Sequence, residues 1–451
     1  MNLFSLIFYI SFEIKSNLIN NKMDTVQQLN VNSALFRSLE SVQSSNLSYG
    51  IPENYPNLSK DIVALQPLIA VTVGTFYAKE CNFALPRQYL LQDITIQTIC
   101  NSTNGIYSST YLPGLCVFDR IELKARGIII CSNTQNFILC RVSESPINQR
   151  LSYERMAAQL PQNLAIAAPT TNCTFYTPVF MFFKERVRSA LDLTWVENLT
   201  LRCVFGSSTT TTGWGAPTYT SPTVSGVAAT DATAVTVQAF VKGFRLAPND
   251  WKELQSQNFS LSEPSNLLIY DCYDEPPLTC TSGGSTTIPQ KQLLYANQAI
   301  FKSYIRVHNN QAGAGRLLPP DNTAAGYIDA VSFKLLGKYV WQNIPTPILW
   351  TDQEKFGSAD ISVAYGTSTI GSNGSVALSL RLNKPISLCW GLENSWVFNS
   401  GGISFDTRAT PYFEYYFNLD PTIYNDIRVT HCFYSILTID SSGNISVSSS
   451  A

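Results

Sequence analysis

The residues of this 451-residue chain that could do chemistry are few and scattered. The densest acidic group is "YDCYDEPP", with Asp271, Asp274 and Glu275. Two such carboxylates held about 5 to 9.5 Å apart would make the acid and base pair of a glycosidase. A solvated turn ahead of Pro276 and Pro277 is the plainer reading, and Asp352 and Glu354 in "WTDQEKF" read the same way. There are two histidines. His431 falls in the apolar phase of a strand-like segment and reads as a core or interface residue. His308, in "YIRVHNNQ" at the end of a strand, has no Cys or carboxylate at metal-ligand spacing beside it. The segment "QAGAGR" (311–316) lacks the Lys-Ser/Thr of a phosphate loop, and no GxSxG elbow occurs. Aromatic stretches such as "YFEYYFNL" (412–419) could form a sugar platform, but their spacing favours core and subunit interface. No catalytic, metal or cofactor residue is assigned.

The elements around these residues are strands. Short alternating or apolar runs are punctuated by Gly, Pro, Asn and Ser, as at 67–78, 93–99, 233–241, 375–382 and 426–439. Helical signal is confined to "SYERMAAQL" (152–160), stopped by Pro161, and "NDWKELQSQN" (249–258), with its capping-box-like Asp250 and Glu253. The class is therefore all-β. Long loops are expected at 206–232, near 276–288 and at 309–326, the first of them Thr- and Gly-rich between two strands.

At 451 residues the chain exceeds what one core supports, so two domains are expected. Charged residues make up 14%, against roughly 25% in an average domain. Its polar surface is thus largely Ser, Thr, Asn and Gln, which suits a protein that buries much of its outside against neighbours. Net charge is −2 and the densest basic stretch is "KERVRS" (184–189), so no phosphate-neutralising arm is present. Eleven cysteines, an odd number with no CxxC spacing, argue against a zinc ribbon or a dense disulfide framework and for a reducing compartment. The apolar run near the N-terminus is too short to span a membrane and lacks signal-peptide flanks, so Met23 is the expected working start.

The chain repeats itself. "DRIELKARG" (119–127) matches "DAVSFKLLG" (329–337) in Asp, alternating apolar residues, Lys and Gly at the same offsets. In each, Ile121, Leu123 and Ala125, or Val331, Phe333 and Leu335, face inward; Glu122, Lys124 and Arg126, or Ser332 and Lys334, face outward. A second match pairs "LDLTWVENLTLRCVF" (191–205) with "LDPTIYNDIRVTHCF" (419–433), in the same order. Two matches in order suggest duplication of one β-domain.

With that tandem layout, three segments resemble the double jelly-roll major capsid proteins of large double-stranded DNA viruses, virophages and Polinton-type elements. They are "DRIELKARG", the stretch 179–205 with its "ALDL" link, and 425–448, which is similar to the family's closing hairpin. Asp192 stands where the family often has Pro, and Ser435 where Asn commonly follows Tyr. The resemblance implies two tandem eight-stranded jelly-roll β-sandwiches with short connecting helices. Residues 1–50 would be an N-terminal extension, 51–248 a first roll carrying a 206–232 surface loop, 249–260 a linker helix and 261–451 a second roll. It implies a structural, non-enzymatic role in the virion capsid: a homotrimer with a pseudo-hexagonal outline, meeting neighbouring capsomers and minor capsid or penton proteins, over an internal membrane and without direct nucleic-acid binding. Two alternatives are a secreted two-domain jelly-roll lectin or glycan-processing enzyme using Asp271, Asp274 and Glu275, and a minor capsid or penton-type protein.

Overall fold

The computed structural model describes residues 58–449 apart from several connecting segments, the longest being 158–169, 207–233, 253–264, 309–327 and 350–384; all statements below concern the described residues. Twenty strands form four antiparallel sheets. In the first half, β1 (Leu58–Leu65), β9 (Ala234–Leu246), β3 (Leu90–Ile106) and β6 (Thr170–Pro178) pair in that order, with β7 (Leu191–Asp192) beside β3. Facing them are β2 (Glu80–Ala84), β8 (Leu199–Phe205), β4 (Phe118–Ala125) and β5 (Ile128–Thr134).

In the second half the larger sheet runs β10 (Ser265–Asp274), β19 (Asp426–Ile439), β13 (Ala299–His308), β16 (Ile386–Cys389). The short β11 (Leu278–Thr279), β17 (Ile403–Ser404) and β20 (Ile445–Ser449) are attached to it. Opposite lie β12 (Gln290–Leu293), β18 (Tyr412–Phe417), β14 (Ile328–Leu335) and β15 (Lys338–Pro345). Setting aside the four short additions, each half has eight strands. Both halves then have sheets ordered first-eighth-third-sixth and second-seventh-fourth-fifth, which is the jelly-roll topology.

Alternation makes the cores. Ile94, Ile96, Val237 and Val241 of one sheet meet Phe83, Ile121, Leu123 and Leu201 of the other; in the second roll Ile305, Ile427 and Val429 meet Val331, Phe333 and Phe413. Gly243 is required where β9 crosses β3, since a Cβ there would lie 2.0 Å from the Leu90 carbonyl oxygen.

The first repeat falls on equivalent fourth strands, β4 and β14. Each leads through a two-residue turn with both φ positive, Arg126 (49°) and Gly127 (86°) or Leu336 (53°) and Gly337 (75°), the turn whose twist suits a hairpin. Each hairpin also carries a register shift at the same place, between Leu123 and Lys124 or Phe333 and Lys334.

The second match falls on non-equivalent strands. Residues 199–205 form β8, a seventh strand, whose counterpart is β18; residues 426–433 belong to β19, an eighth strand, whose counterpart is β9. Half-buried strands share one alternation, so a gapless match of seven residues reports strand character and not strand position.

Other expectations shift too. Residues 67–70, read as the start of a strand, form an exposed bend after Pro67, and the strand lies earlier, at β1. Outward-facing Glu122 and Ser332 are buried: Arg202, Lys124 and Arg120 close over the carboxylate, and Ser332 Oγ accepts from the Asn343 N–H at 2.7 Å. The helical signal at 152–160 belongs to α2 (Ile147–Ala157), preceded by α1 (Gln135–Glu144), which the repeat pattern did not disclose. Of the linker, Asn249 and Lys252 are helical and the rest lies outside the described residues, as do the 207–232 loop residues and the strand read at 375–382.

Candidate functional site

Of the side chains singled out in the sequence, Asp271 and Asp274 lie at the seam between the rolls. There β5 and α1 of the first roll lie against the outer face of the larger sheet of the second. Thr134 starts the arrangement: its Oγ1 caps α1 by accepting from the Phe137 N–H at 3.2 Å and donates to Asp274 Oδ1 at 3.0 Å. One hydroxyl therefore ends β5, begins the helix and joins the two rolls.

Around it runs a chain of hydrogen bonds. Arg306 Nε donates to Asn136 Oδ1 at 2.6 Å, Asn136 Nδ2 donates to Thr430 Oγ1 at 2.6 Å, and Thr430 donates to Asp274. Asp271 accepts from both the backbone N–H and the hydroxyl of Ser132, each at 2.8 Å. Burial pushes the Asp271 carboxyl up to about 6 against the pull of Ser132, and burial likewise raises Asp274 against Thr430 and Thr134.

At the other end of α1, Glu144 takes the Lys302 ammonium and the Tyr304 hydroxyl, and accepts from Ser387 Oγ at 3.2 Å. Burial would raise the Glu144 carboxyl, but Lys302 and then Arg141 outweigh it and hold it below its ordinary value. A register shift between Ile300 and Lys302 keeps Phe301 on the seam alongside Lys302, Tyr304 and Arg306. Trp396 fills the space between, with Arg141 over its ring at 4.3 Å and Phe301 edge-on at 5.3 Å.

The acidic cluster is thus neither a solvated turn nor a pair flanking a cleft. Asp271 and Asp274 join the rolls, while Glu275 is inside the second roll, where Oε1 accepts the N–H groups of Tyr295 (2.7 Å) and Ala296 (2.9 Å). Glu275 also lies 3.3 Å from His431 Nε2, and His431 Nδ1 is 2.7 Å from Ser303 Oγ. On paper this is a Ser-His-Glu constellation. In space it is sealed: Ser303 and His431 have no exposed surface, and the Trp390 indole N–H donates to the same Ser303 oxygen at 2.7 Å. A neutral His431 protonated on Nε2 lets the Trp390, Ser303 and His431 bonds run in one direction, and burial holds its pKa down despite Glu275. The arrangement packs a core; a substrate has no approach to the serine. His308 ends β13 opposite Asp426, and Asp352 and Glu354 lie outside the described residues.

Sequence reading missed Lys302, Arg306, Glu144 and Trp396. A signal was present: "AIFKSYIRVH" places Lys302, Tyr304 and Arg306 on one face of an otherwise apolar strand, and cations in such a position require a buried partner.

No protein-family model and no curated protein matches the sequence. Solved structures do match its fold. A quasi-atomic model of the PBCV-1 virus capsid superposes with a TM-score of 0.65 at 13% identity, over 89% of this chain and 99% of that one. The Faustovirus major capsid protein gives 0.55 at 10% identity over 94% and 98%, and the mavirus major capsid protein 0.52 at 9% over 90% and 93%. The chain has the double jelly-roll fold seen in these capsid proteins.

Proposed function

We propose that this chain is a major capsid protein whose homotrimers tile an icosahedral shell. The observation that carries the proposal is an interface used once within the chain and left open at both ends. Inside the chain, β5 of the first roll is covered by β10 of the second: Ile130 is 0% exposed, and Ser132 is held by Asp271. The equivalent strand of the second roll, β15, has no such cover; Val340, at the position of Ile130, is 51% exposed, with Tyr339 exposed beside it. Likewise β10 has its counterpart in β1, where Ile62 is 60% exposed and the exposed Leu68 and Ile69 follow.

A donor face at one end and an acceptor face at the other make a heterologous contact, which closes into a ring or runs on as a filament. Repeating the β5-to-β10 contact as β15 of one copy against β1 of the next, and closing after three copies, gives six rolls in a ring. Such a tile has a pseudo-hexagonal outline, and a Ser/Thr/Asn-rich surface with few charges suits wide contacts between tiles made strong by number. Neighbouring capsomers, minor capsid or penton proteins and an internal membrane are the partners of this reading, the virion its location, and assembly, not catalysis, its activity. The burial of Asp271 and Asp274 in the seam and of Glu275 in the second roll disfavours the glycan-processing alternative.

Light scattering on the eluting protein tests this. The expected mass is about 150 kDa, three copies of the 49.9 kDa chain, falling to one copy in Val340→Glu. A wild-type monomer across the accessible concentration range would sink the proposal.

A further inference from the structure

Four of the eleven cysteines stand directly opposite one another across antiparallel strands: Cys81 with Cys203, and Cys272 with Cys432. Eleven cysteines placed at random in 451 residues would produce well under one such pairing over the strand registers of this fold. Directly opposed residues in antiparallel strands have Cα atoms about 4.5 to 5.5 Å apart. That spacing falls within the roughly 4.4 to 6.8 Å that a disulfide bridges.

The pairs also share a place in the architecture. Each joins a strand at the end of its sheet to the strand inside it: β2 to β8, and β10 to β19. Edge strands are held on one side only and are where a sheet opens first. In the first pair both cysteines are buried and carry free thiols. In the second, Cys272 and Cys432 are both buried at the seam between the rolls.

We propose that these two pairs are disulfide-forming sites, reduced while the chain is made in a reducing compartment and oxidised afterwards, each bond stapling an edge strand to its inner neighbour. In each step two S–H bonds are lost and one S–S bond forms. The two electrons and two protons pass to a low-molecular-weight disulfide, which is cleaved to two thiols through a mixed disulfide. Burial raises the thiols of Cys203, Cys272 and Cys432 well above their ordinary range, so the closed sheet supplies little thiolate. Oxidation therefore proceeds through opening of the edge strand. This inference stands independently of the shell reading.

The test is to incubate the purified full chain with glutathione disulfide, with and without sub-denaturing urea. The protein is then acid-quenched, denatured and alkylated, and the peptides are mapped without reduction. The expected result is the links 81–203 and 272–432, with all four of these cysteines protected from alkylation and an intact mass lower by about 2 Da for each bond. Cys203→Ser should lose the first link alone and free Cys81, its far-ultraviolet circular dichroism confirming that it folds. Eleven alkylated thiols in both conditions, or any of these four cysteines linked to another partner, such as Cys131 to Cys272, would overturn the proposal.

Discussion

At the scale of single residues, the seam is a set of buried charges whose value depends on their partners. Removing Lys302 leaves Glu144 facing the sheet with its nearest cation gone, and breaking a buried pair in this way costs about 3 to 5 kcal/mol. Lys302→Met should lower the denaturant midpoint accordingly, and Lys302→Met with Glu144→Met should recover part of the loss; equal midpoints for the single variant and the wild type would contradict the role assigned to the pair. Asp271 behaves oppositely. Its folded-state value near 6 lies above the ordinary carboxylate range, so the folded protein binds the proton more tightly than the unfolded chain. Stability from this group is present at low pH and is lost as pH rises from about 4 through about 6. Asp271→Asn keeps the acceptor for Ser132 without the charge, and should gain about 1 to 3 kcal/mol over the wild type across that window, with no difference below it. Chemical denaturation at a series of pH values measures this directly.

At the scale of elements, the hairpin β4–β5 and its counterpart β14–β15 were legible in the sequence because turn and alternation coincide there: Lys, two residues on to a two-residue turn, and Gly at its second position. Leu336 is the exception, a branched residue at φ 53° where Asn is the preferred occupant. Leu336→Asn should raise thermal stability by about 0.5 to 1 kcal/mol, whereas Gly243→Ala should cost about 1 to 3 kcal/mol by driving β9 off β3. Melting curves of the two variants give both values. The strand matched at 191–205 and 419–433 was readable only as strand. What assigns β8 to a seventh and β19 to an eighth position is pairing across more than a hundred residues, such as Cys81 with Cys203, and local alternation carries no record of it. Helix α1 was hidden for a related reason. Nearly all of its residues are buried, so it lacks the polar face that would give an amphipathic period. The cysteine pairs escaped in the same way: no two are close in sequence, and only the sheet registers bring them together.

For the whole molecule, the repeated topology gives each roll the same two faces, and the chain uses one of each internally. Low charge and a polar, uncharged surface were visible in composition, and they fit a subunit that meets copies of itself on several sides. Which faces meet was not visible there, because the exposure of Val340 and Ile62 is meaningful only beside the burial of their counterparts Ile130 and β10. Single-particle electron microscopy of the purified 451-residue chain tests the proposed trimer most directly. A capsid homotrimer requires a closed ring of six roll-sized lobes, with β15 of each copy packed on β1 of the next as β5 packs on β10 within the chain. Isolated two-lobed particles, or a ring closed through any other pair of faces, would contradict it.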